Sequence, residues 1–442
     1  MEKEPAGEIV GGPNGIPESL PALAVALRTG ELPLEDYLGA LETRFRAVEP
    51  AIRAFMPDSD RFARLREEAA ALRRHWPVPD DRPALFGVAV GIKDVMRVDG
   101  LPTTAGSRLP TGLFDGPESA CVSALRAAGA LIIGKTVSTE FAYFAPGPTR
   151  NPRNLDHTPG GSSSGSAAAV ASGLCSLALG TQTVGSTIRP AAFCGVVGFK
   201  PSYGRVSTEG VIPLSPSLDH VGMLAGDAAG AALAAGVLCS NWAPAGRASR
   251  PVFAVPTGPY LHKASDESRE HFCGVIARLK AAGYAVVTVP ALPDYDAIVL
   301  RHNLIVTAEA ARVHHDWFGA YGGLYHPRTA ALIERGQTIG DAALTEALDG
   351  RQQLRAELTG LMEANQVDAW LSPSAVDTAP RGLERTGDPA MNLPWTHSGL
   401  PAVSLPSGRS GAGLPFGLQV ASRWQEDERL LAWAEELEPH LR

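Results

Sequence analysis

The sequence has few lysines, and its positive charge is not gathered into a basic stripe. Of its 39 basic residues six are lysine and 33 are arginine, and 47 acidic residues give a net charge of −8. The arginines are scattered along the chain and are not interleaved with aromatic residues. This distribution argues against nucleic acid as the main partner.

Paired cysteines and long apolar runs are also missing. The five cysteines are odd in number and show no CxxC spacing, so neither a disulfide framework nor a zinc site has support. Most of them lie in apolar surroundings, which favours reduced, buried thiols and predicts a cytoplasmic location. No apolar run reaches the roughly 18–20 residues that span a bilayer, and the charged first ten residues do not resemble a signal peptide. No membrane partner is expected.

What the sequence does have is a regular alternation of secondary-structure signals. Residues 17–75 carry apolar residues at helical spacing. The segments "ALFGVAVGIKDV", "CVSALRAAGALIIGKT" and "GSAAAVASGLCSLALGTQT" then alternate between buried strands and helices. Such alternation predicts a layered α/β domain whose sheet is covered on both faces.

The second half continues the same organisation. Further strands are predicted at "VFAVPTG", "YAVVTVP", "AWLSPSA" and "PAVSLPSG", and residues 298–366 read as a mostly helical insertion. The one plausible linker is 240–251, but strand-like sequence continues on both sides of it. One domain over residues 1–442 is therefore predicted.

The stretch "PGGSSSGSAAA", residues 159–169, is open to several interpretations. A phosphate-binding loop needs a lysine and then Ser or Thr after its glycines, whereas Gly165 is followed by Ser166 and Ala167. A nucleophile elbow at Ser163 needs a strand running into it, and the preceding "TRNPRNLDHTPG" cannot be a central strand. A flexible linker is disfavoured because the alanines would begin a helix.

Two distant motifs decide between these interpretations. "GVAVGIKDV" lies upstream, and "GTQTVGSTIRPAAFCGVVGFKPSYGRVS" lies downstream. In this order, and with the glycine–serine loop between them, the sequence resembles the amidase-signature enzymes. The resemblance covers a catalytic core at 80–225 and a C-terminal part at 388–437. It implies a three-layer α/β/α fold with a large mixed, mostly buried central sheet, and C–N bond hydrolysis without metal or other cofactor.

In that family a lysine and two serines act together. The matching positions imply Ser186 as nucleophile, Ser162 as a bridging serine held by a cis peptide after Gly161, and Lys93 as base. A lysine works as a base only if its pKa falls from about 10.4, and a fall of about three units is roughly 4 kcal/mol, which burial can supply. A lysine reaching to solvent and a serine acting as a helix cap are the alternative interpretations. Both are disfavoured because the three motifs occur together.

An oxyanion hole is expected from backbone N–H groups just before the nucleophile, in Thr183, Val184, Gly185 and Ser186. Val184 stands where many family members have glycine. Its β-branched side chain either narrows the pocket or restricts the turn.

Six residues are candidates for substrate binding, and their assignment is weaker: Gly161, Ser163, Phe141, Ala142, Tyr143 and Arg189. Arg189 could clamp a substrate carboxylate or serve structurally, and the structural role is favoured. Asp219 is expected to brace loops.

Three histidines raise the question of other roles. Adjacent His314 and His315 would point about 100° apart on a helix, which disfavours a shared metal. His397, close to the C-terminal motif, could line the acyl pocket.

The sequence thus predicts a serine amidohydrolase acting on a small-molecule amide, anilide or carbamate, with possible ester hydrolysis. The alternatives are a glutaminase subunit of a tRNA-dependent amidotransferase, a ureido-acid (allophanate-type) hydrolase, and a silent binding module. A monomer or homodimer is expected, with a small molecule as the only partner.

Overall fold

The computed structural model describes residues 8–13, 15–246 and 250–441. Within these ranges ten strands form one mixed sheet in the order β2-β1-β3-β5-β4-β9-β10-β8-β6-β7. The strands are β1 (Ala89–Lys93), β2 (Leu131–Thr136), β3 (Leu177–Gln182), β4 (Val197–Lys200), β5 (His220–Ala225), β6 (Val252–Thr257), β7 (Ala285–Pro290), β8 (Ala369–Pro373), β9 (Ala402–Arg409) and β10 (Pro415–Ser422).

Helices cover the sheet, so the predicted α/β class and mixed sheet are confirmed. The helices of the described ranges are α1 (Leu20–Thr29), α2 (Leu34–Ile52), α3 (Arg61–His75), α4 (Ala120–Ala127), α5 (Ser164–Ala171), α6 (Ile188–Cys194), α7 (Ala228–Leu238), α8 (Asp266–Ala281), α9 (Tyr295–Val313), α10 (His315–Tyr321), α11 (Pro327–Gly336), α12 (Asp341–Ala364), α13 (Leu393–Ser398) and α14 (Asp427–Leu437). None of them is long and apolar enough to cross a membrane.

The local sequence explains the elements around the future site. β1 and β3 are short, mostly apolar and buried along their whole length, as is typical of strands covered on both faces of a sheet. They pair in parallel with each other, and β1 also pairs with β2. Gly129 lies between α4 and β2 with a φ of 84°, the left-handed conformation that glycine adopts without steric cost. The predicted order of helix, glycine stop and strand is confirmed here.

The centre of the sheet departs from the simple alternation. β5 and β4 run antiparallel to their neighbours, and so do β9 and β10. The strands β4, β5 and β10 were not identified from the sequence, because they are interrupted by glycine and carry no period-two pattern.

The sheet includes strands from both sides of the predicted linker 240–251, since β6 to β10 join the same sheet as β1 to β5. Residues 247–249 of that linker, like residues 1–7, lie outside the described residues. The single-domain division stays a prediction. Residues 298–366 consist mostly of α9 to α12, which follow one another along the chain.

Candidate active site

Lys93 is the last residue of β1 and is completely buried. Its Nζ lies 2.7 Å from Ser162 Oγ and 2.7 Å from Thr181 Oγ1, and it donates to both hydroxyls. Burial lowers the pKa of Lys93 well below its usual value, and the negative charge of Asp219 opposes this shift. The side chain does not reach solvent, so the structure places a lysine with a lowered pKa beside a serine.

Ser162 lies in the loop that leads into α5. The Gly161–Ser162 peptide is cis, as the family resemblance implied. A Cβ on Gly161 would lie 2.7 Å from Cγ2 of Thr386, so any larger residue would push this loop away. Arg189 donates from Nη2 to the carbonyl oxygen of Gly161 at 2.7 Å. The cis peptide is therefore held by a side chain that comes from the other serine motif.

Arg189 is only 2% exposed, and its second contact is Thr386 Oγ1 at 3.3 Å. Burial lowers the pKa of this guanidinium to about 10, while Asp388 opposes the shift. These contacts agree with the structural role that the sequence favoured.

The turn after β3 is tied to the C-terminal motif. Gln182 Oε1 accepts from the backbone N–H groups of Thr187 (2.8 Å) and Ile188 (3.0 Å), at the start of α6. Its Nε2 donates to Thr396 Oγ1 at 2.9 Å. Thr396 Oγ1 in turn donates to the carbonyl oxygen of Val184 at 2.6 Å. These bonds fix both ends of the turn.

Within that turn the backbone donors remain free. Among the described residues no hydrogen-bond acceptor pairs with the N–H groups of Val184, Gly185 or Ser186. Ser186 is 7% exposed, and its hydroxyl makes no hydrogen bond to another described residue. The N–H of Ser163 donates to the carbonyl oxygen of Ser186 at 3.3 Å, which brings the two serine loops together. The turn therefore contains three backbone N–H donors and the Ser186 hydroxyl, none of which is hydrogen-bonded to another described residue.

Asp219 holds the other side of the turn. Its Oδ1 accepts from Thr183 Oγ1 at 2.6 Å, and its Oδ2 accepts from the N–H groups of Leu214 and Ser215. Burial raises the pKa of Asp219 to about 6, although these hydrogen bonds oppose the shift. Asp219 therefore braces loops, as expected, and its charge also acts on Lys93.

Sequence reasoning missed four residues that shape this site: Thr181, Gln182, Asn392 and Thr396. The available signal was a set of polar residues inside otherwise buried segments, "GTQT" and "MNLPWTHSG". Asn392 is the clearest case, because a Cβ on Gly185 would lie only 2.4 Å from its Oδ1. Glycine at position 185 is thus required by close packing.

A cleft of about 790 Å³ opens beside Val184. Its wall is mostly apolar and includes side chains of α9 and α11, from the predicted insertion. The lining residues are Tyr143, Phe144, Val184, Lys263, Tyr295, Asp296, Val299, Asn303, Leu304, Val306, Thr307, Leu332, Arg335, Ile339, Asp388, Pro389, Ala390 and Leu393. The charged residues of this set are two basic and two acidic, so the cleft has no strong charge of either sign.

The other candidate binding residues lie elsewhere. Phe141 is 1% exposed, and its ring packs in an aromatic cluster against Trp317 and Tyr325. Ala142 is buried beside it. The Ser163 hydroxyl donates to the carbonyl oxygen of Thr181 at 3.2 Å, inside the sheet. Of the two aromatic candidates, Phe141 and Tyr143, only Tyr143 lines the cleft, together with the neighbouring Phe144.

His314 and His315 point in different directions. His314 is buried and bonds Tyr325 Oη through Nδ1, whereas His315 is exposed and pairs with Asp316. Within the described ranges no group of three or more metal-ligating side chains is placed to hold an ion.

Comparisons with known proteins agree with this geometry. The family model described as Amidase matches residues 38–431. A glutamyl-tRNA(Gln) amidotransferase subunit of Synechococcus sp. (strain WH7803) is 32% identical, over 93% of this chain and 95% of its own length.

Two solved structures show the same fold over nearly the whole chain. One is a crystal structure of an amidase, with a TM-score of 0.87 and 32% identity, covering 96% of this chain and 100% of the other. The second is native peptide amidase from Stenotrophomonas maltophilia, with a TM-score of 0.80 and 26% identity, covering 96% of this chain and 97% of the other. Because the family model covers most of its length, this chain belongs to the amidase family, hydrolases that act on C–N bonds.

Proposed function

We propose that this protein is a serine-dependent amidohydrolase that cleaves the C–N bond of a small-molecule amide, anilide or carbamate through an acyl-enzyme on Ser186. The observation that carries the proposal is the buried Lys93, whose Nζ lies 2.7 Å from the Ser162 hydroxyl. Burying an amine without a carboxylate partner favours its neutral form, and a neutral amine is a base.

The reaction begins with two proton transfers. Neutral Lys93 takes a proton from Ser162 Oγ, which takes one from Ser186 Oγ as that oxygen attacks the substrate carbonyl carbon. When the C–N bond breaks, the protons move back along the same path to the leaving nitrogen. Water then attacks the acyl-enzyme by the same route and releases the acid.

The backbone N–H groups of the turn serve the developing oxyanion. Those of Val184, Gly185 and Ser186 have no described partner, and the hydrogen bonds from Gln182 and Thr396 hold the turn in place. Donors fixed before the reaction stabilise a transition-state charge without reorganising. The N–H of Thr183 stays a further candidate donor from the sequence.

The cleft supports a substrate with an apolar body. Val299, Leu304 and Leu332 line one wall, and Tyr143 contributes an aromatic face. Apolar lining with a few polar groups is typical of sites for small organic ligands. An anilide or a carbamate with an apolar substituent fits this description better than a strongly charged molecule.

A second function is a glutaminase that supplies ammonia within an amidotransferase. It is favoured by the relatives at 32–34% identity, which are glutamyl-tRNA(Gln) amidotransferase subunits. Such a protein would hydrolyse glutamine and would respond to partner subunits. A ureido-acid hydrolase is a third candidate, since its reaction uses the same catalytic groups.

The deciding experiment measures release of amine or alcohol from substrates that share one acyl group: an amide, an anilide, a carbamate and an ester. Glutamine and a ureido acid complete the panel. Wild type is compared with Ser186→Ala and with Ser59→Ala, a control at an exposed serine.

We expect turnover in wild type and Ser59→Ala and a loss of at least about 10³-fold in Ser186→Ala. Preference for glutamine over the rest of the panel would favour the glutaminase. Equal rates in Ser186→Ala and wild type would contradict the proposed nucleophile.

A further inference from the structure

Four basic side chains lie close together near the Thr183–Ser186 turn. His302 belongs to α9, Arg351 to α12 and His397 to α13, and Arg301 precedes His302. His302 and His397 are 0% exposed and Arg351 is 8% exposed. We call Arg301, His302, Arg351 and His397 the basic cluster. The proposed mechanism uses none of them.

The members of the basic cluster are close together. The rings of His302 and His397 lie 5.5 Å apart between centroids. Arg351 Nε donates to the backbone carbonyl oxygen of His397 at 3.0 Å. Arg301 is near enough to act on the charge of His397, as Arg351 does. The cluster is therefore a single electropositive region inside the protein.

Several polar atoms of the basic cluster have no partner. Both ring nitrogens of His397 lack a hydrogen bond within the described residues, as do Nη2 of Arg351, Nε of Arg301 and one ring nitrogen of His302, whose ring also interacts with the backbone of Thr183. Buried polar groups are normally paired, because each unpaired group costs about 1–3 kcal/mol. Five buried nitrogens without a hydrogen bond in one region are more than ordinary packing leaves.

The neighbouring carboxylates are hydrogen-bonded to other groups. Glu309 accepts from the hydroxyls of Ser215 and Ser217, and Asp219 accepts from the Thr183 hydroxyl and two backbone N–H groups. The charge of Glu309 acts on Arg351 without a direct ion pair, and the guanidinium lies over the Tyr203 ring, 4.8 Å from its centroid. A buried charge that lacks a close counter-charge is unfavourable, so an anion bound beside the guanidinium would stabilise it.

The basic cluster adjoins the candidate active site. Val299 and Val306, which lie one helical turn before and after His302 on α9, line the cleft. The residue before His397 is Thr396, which bonds the carbonyl of Val184. The cluster thus lies beneath the floor of the cleft, next to the turn that carries Ser186.

We propose that the basic cluster binds a small anion of carboxylate type, held by the guanidinium of Arg351 and the N–H groups of His302 and His397. The ligand class is set by charge and size: one negative charge and few atoms, as in formate or acetate. The anion comes either free from solution or as a carboxylate of the substrate. The site itself does not rest on the proposed reaction.

The state of the two imidazoles suits this role. Burial lowers the pKa of His302 to about 3, with Arg351 adding to the effect and the backbone of Thr183 opposing it. Burial lowers the pKa of His397 to about 2, and His302, Arg351 and Arg301 add to that effect. Each ring is therefore neutral and keeps one N–H donor, so the positive charge of the cluster is carried by Arg351 and Arg301.

The test is a titration of thermal stability with sodium formate and with sodium chloride. Ionic strength is held constant with the sodium salt of HEPES, a much larger anion than formate or chloride. The proteins are wild type, Arg351→Met, His302→Gln and the control Arg312→Met, which changes an exposed arginine of α9.

In wild type and Arg312→Met we expect a saturable rise in Tm of about 1–3 °C. Arg351→Met should show no saturable rise, and it should match or exceed wild type in HEPES alone because an unpaired buried charge has been removed. If Arg351→Met does not fold, His302→Gln is the test variant. Its half-saturating formate concentration should be about fivefold or more above that of wild type. Identical curves in all folded variants, or no saturable rise in wild type, would overturn the proposal.

A second arm separates the two sources of the anion. Two amides that differ only in a carboxylate or its methyl ester on the acyl part are compared in wild type and Arg351→Met. If the substrate supplies the carboxylate, the Arg351→Met substitution should lower kcat/KM for the acid at least tenfold more than kcat/KM for the ester. If a free ion is bound, the Tm titration persists and the substrate preference does not change. The Tm titration needs no turnover, so it stands even if the proposed reaction fails.

Discussion

The side-chain nitrogen of Lys93 lies 2.7 Å from the hydroxyl oxygen of Ser162. The two residues are 69 positions apart in the chain, and the sheet brings them together by placing β1 beside β3 and the serine loop. Arg189 holds the peptide before Ser162. Lys93, Ser162 and the arginine that supports the peptide before Ser162 thus come from three separate motifs.

Lys93→Met should change the pH dependence of stability. The pKa of Lys93 is lowered in the folded state, so the unfolded chain binds more protons between that lowered pKa and about 10.4, and stability rises with pH there. Over this window the free energy of unfolding of wild type should rise, relative to Lys93→Met, by up to about 1.4 kcal/mol per pH unit.

Urea unfolding of both proteins between pH 7 and 10 measures this difference, with Lys280→Met as a control at an exposed lysine. Turnover should fall by several orders of magnitude in Lys93→Met and stay near wild type in the control. A difference in stability that does not vary with pH would contradict a lowered pKa.

Asp219→Asn should shift the acid limb of the pH–rate profile. Activity requires neutral Lys93, so kcat/KM falls as the pH drops through the pKa of that amine. The charge of Asp219 raises this pKa, so its removal should move the acid limb to lower pH. The profile of kcat/KM against pH tests this, with Asp316→Asn, an exposed position, as control. A shift to higher pH would show that Asp219 does not act on Lys93 in this way.

Gly185→Ala should disturb the oxyanion turn. The added Cβ would lie 2.4 Å from Asn392 Oδ1, so the turn or the asparagine must move. Displaced backbone donors should lower kcat by about 10²–10³-fold. The double variant Gly185→Ala with Asn392→Ala should recover part of that loss.

Gly360→Ala is the matched control for this substitution, because a Cβ there meets no atom within 4 Å. It lies inside α12, so it should leave kcat unchanged and stabilise the fold slightly. Near-normal kcat in folded Gly185→Ala would contradict the placement of the oxyanion donors in this turn.

Val184→Gly should broaden the range of substrates. The Val184 side chain lines the cleft while its carbonyl is held by Thr396, so the side chain can be removed without losing that bond. We expect kcat/KM for a bulky anilide to rise several-fold relative to acetanilide, with Val184→Ala intermediate. The ratio of the two kcat/KM values in the three proteins measures the effect. An unchanged ratio would show that Val184 does not limit the pocket.

Much of the site could be predicted because reactive groups sit in distinctive local patterns. The apolar run before Lys93, the glycine–serine loop and "GTQTVGSTIRPAA" are each recognisable in the sequence. Asn392 and Thr396 give only a weak sequence signal, since the role of an ordinary polar residue depends on the residues that pack against it in the fold. The same reason separates Tyr143, which faces the cleft, from Phe141, whose ring lies in the core.

The sequence alone determined the α/β class, the buried parallel strands and the order of the three motifs, because periodicity, glycine placement and apolar content act over short stretches of chain. Only the tertiary structure decided the antiparallel centre of the sheet, the bond from Arg189 to the cis peptide, and the meeting of Arg351 with His302 and His397. Those contacts join residues far apart in the chain. Their energies depend on burial and on partners that no local pattern specifies.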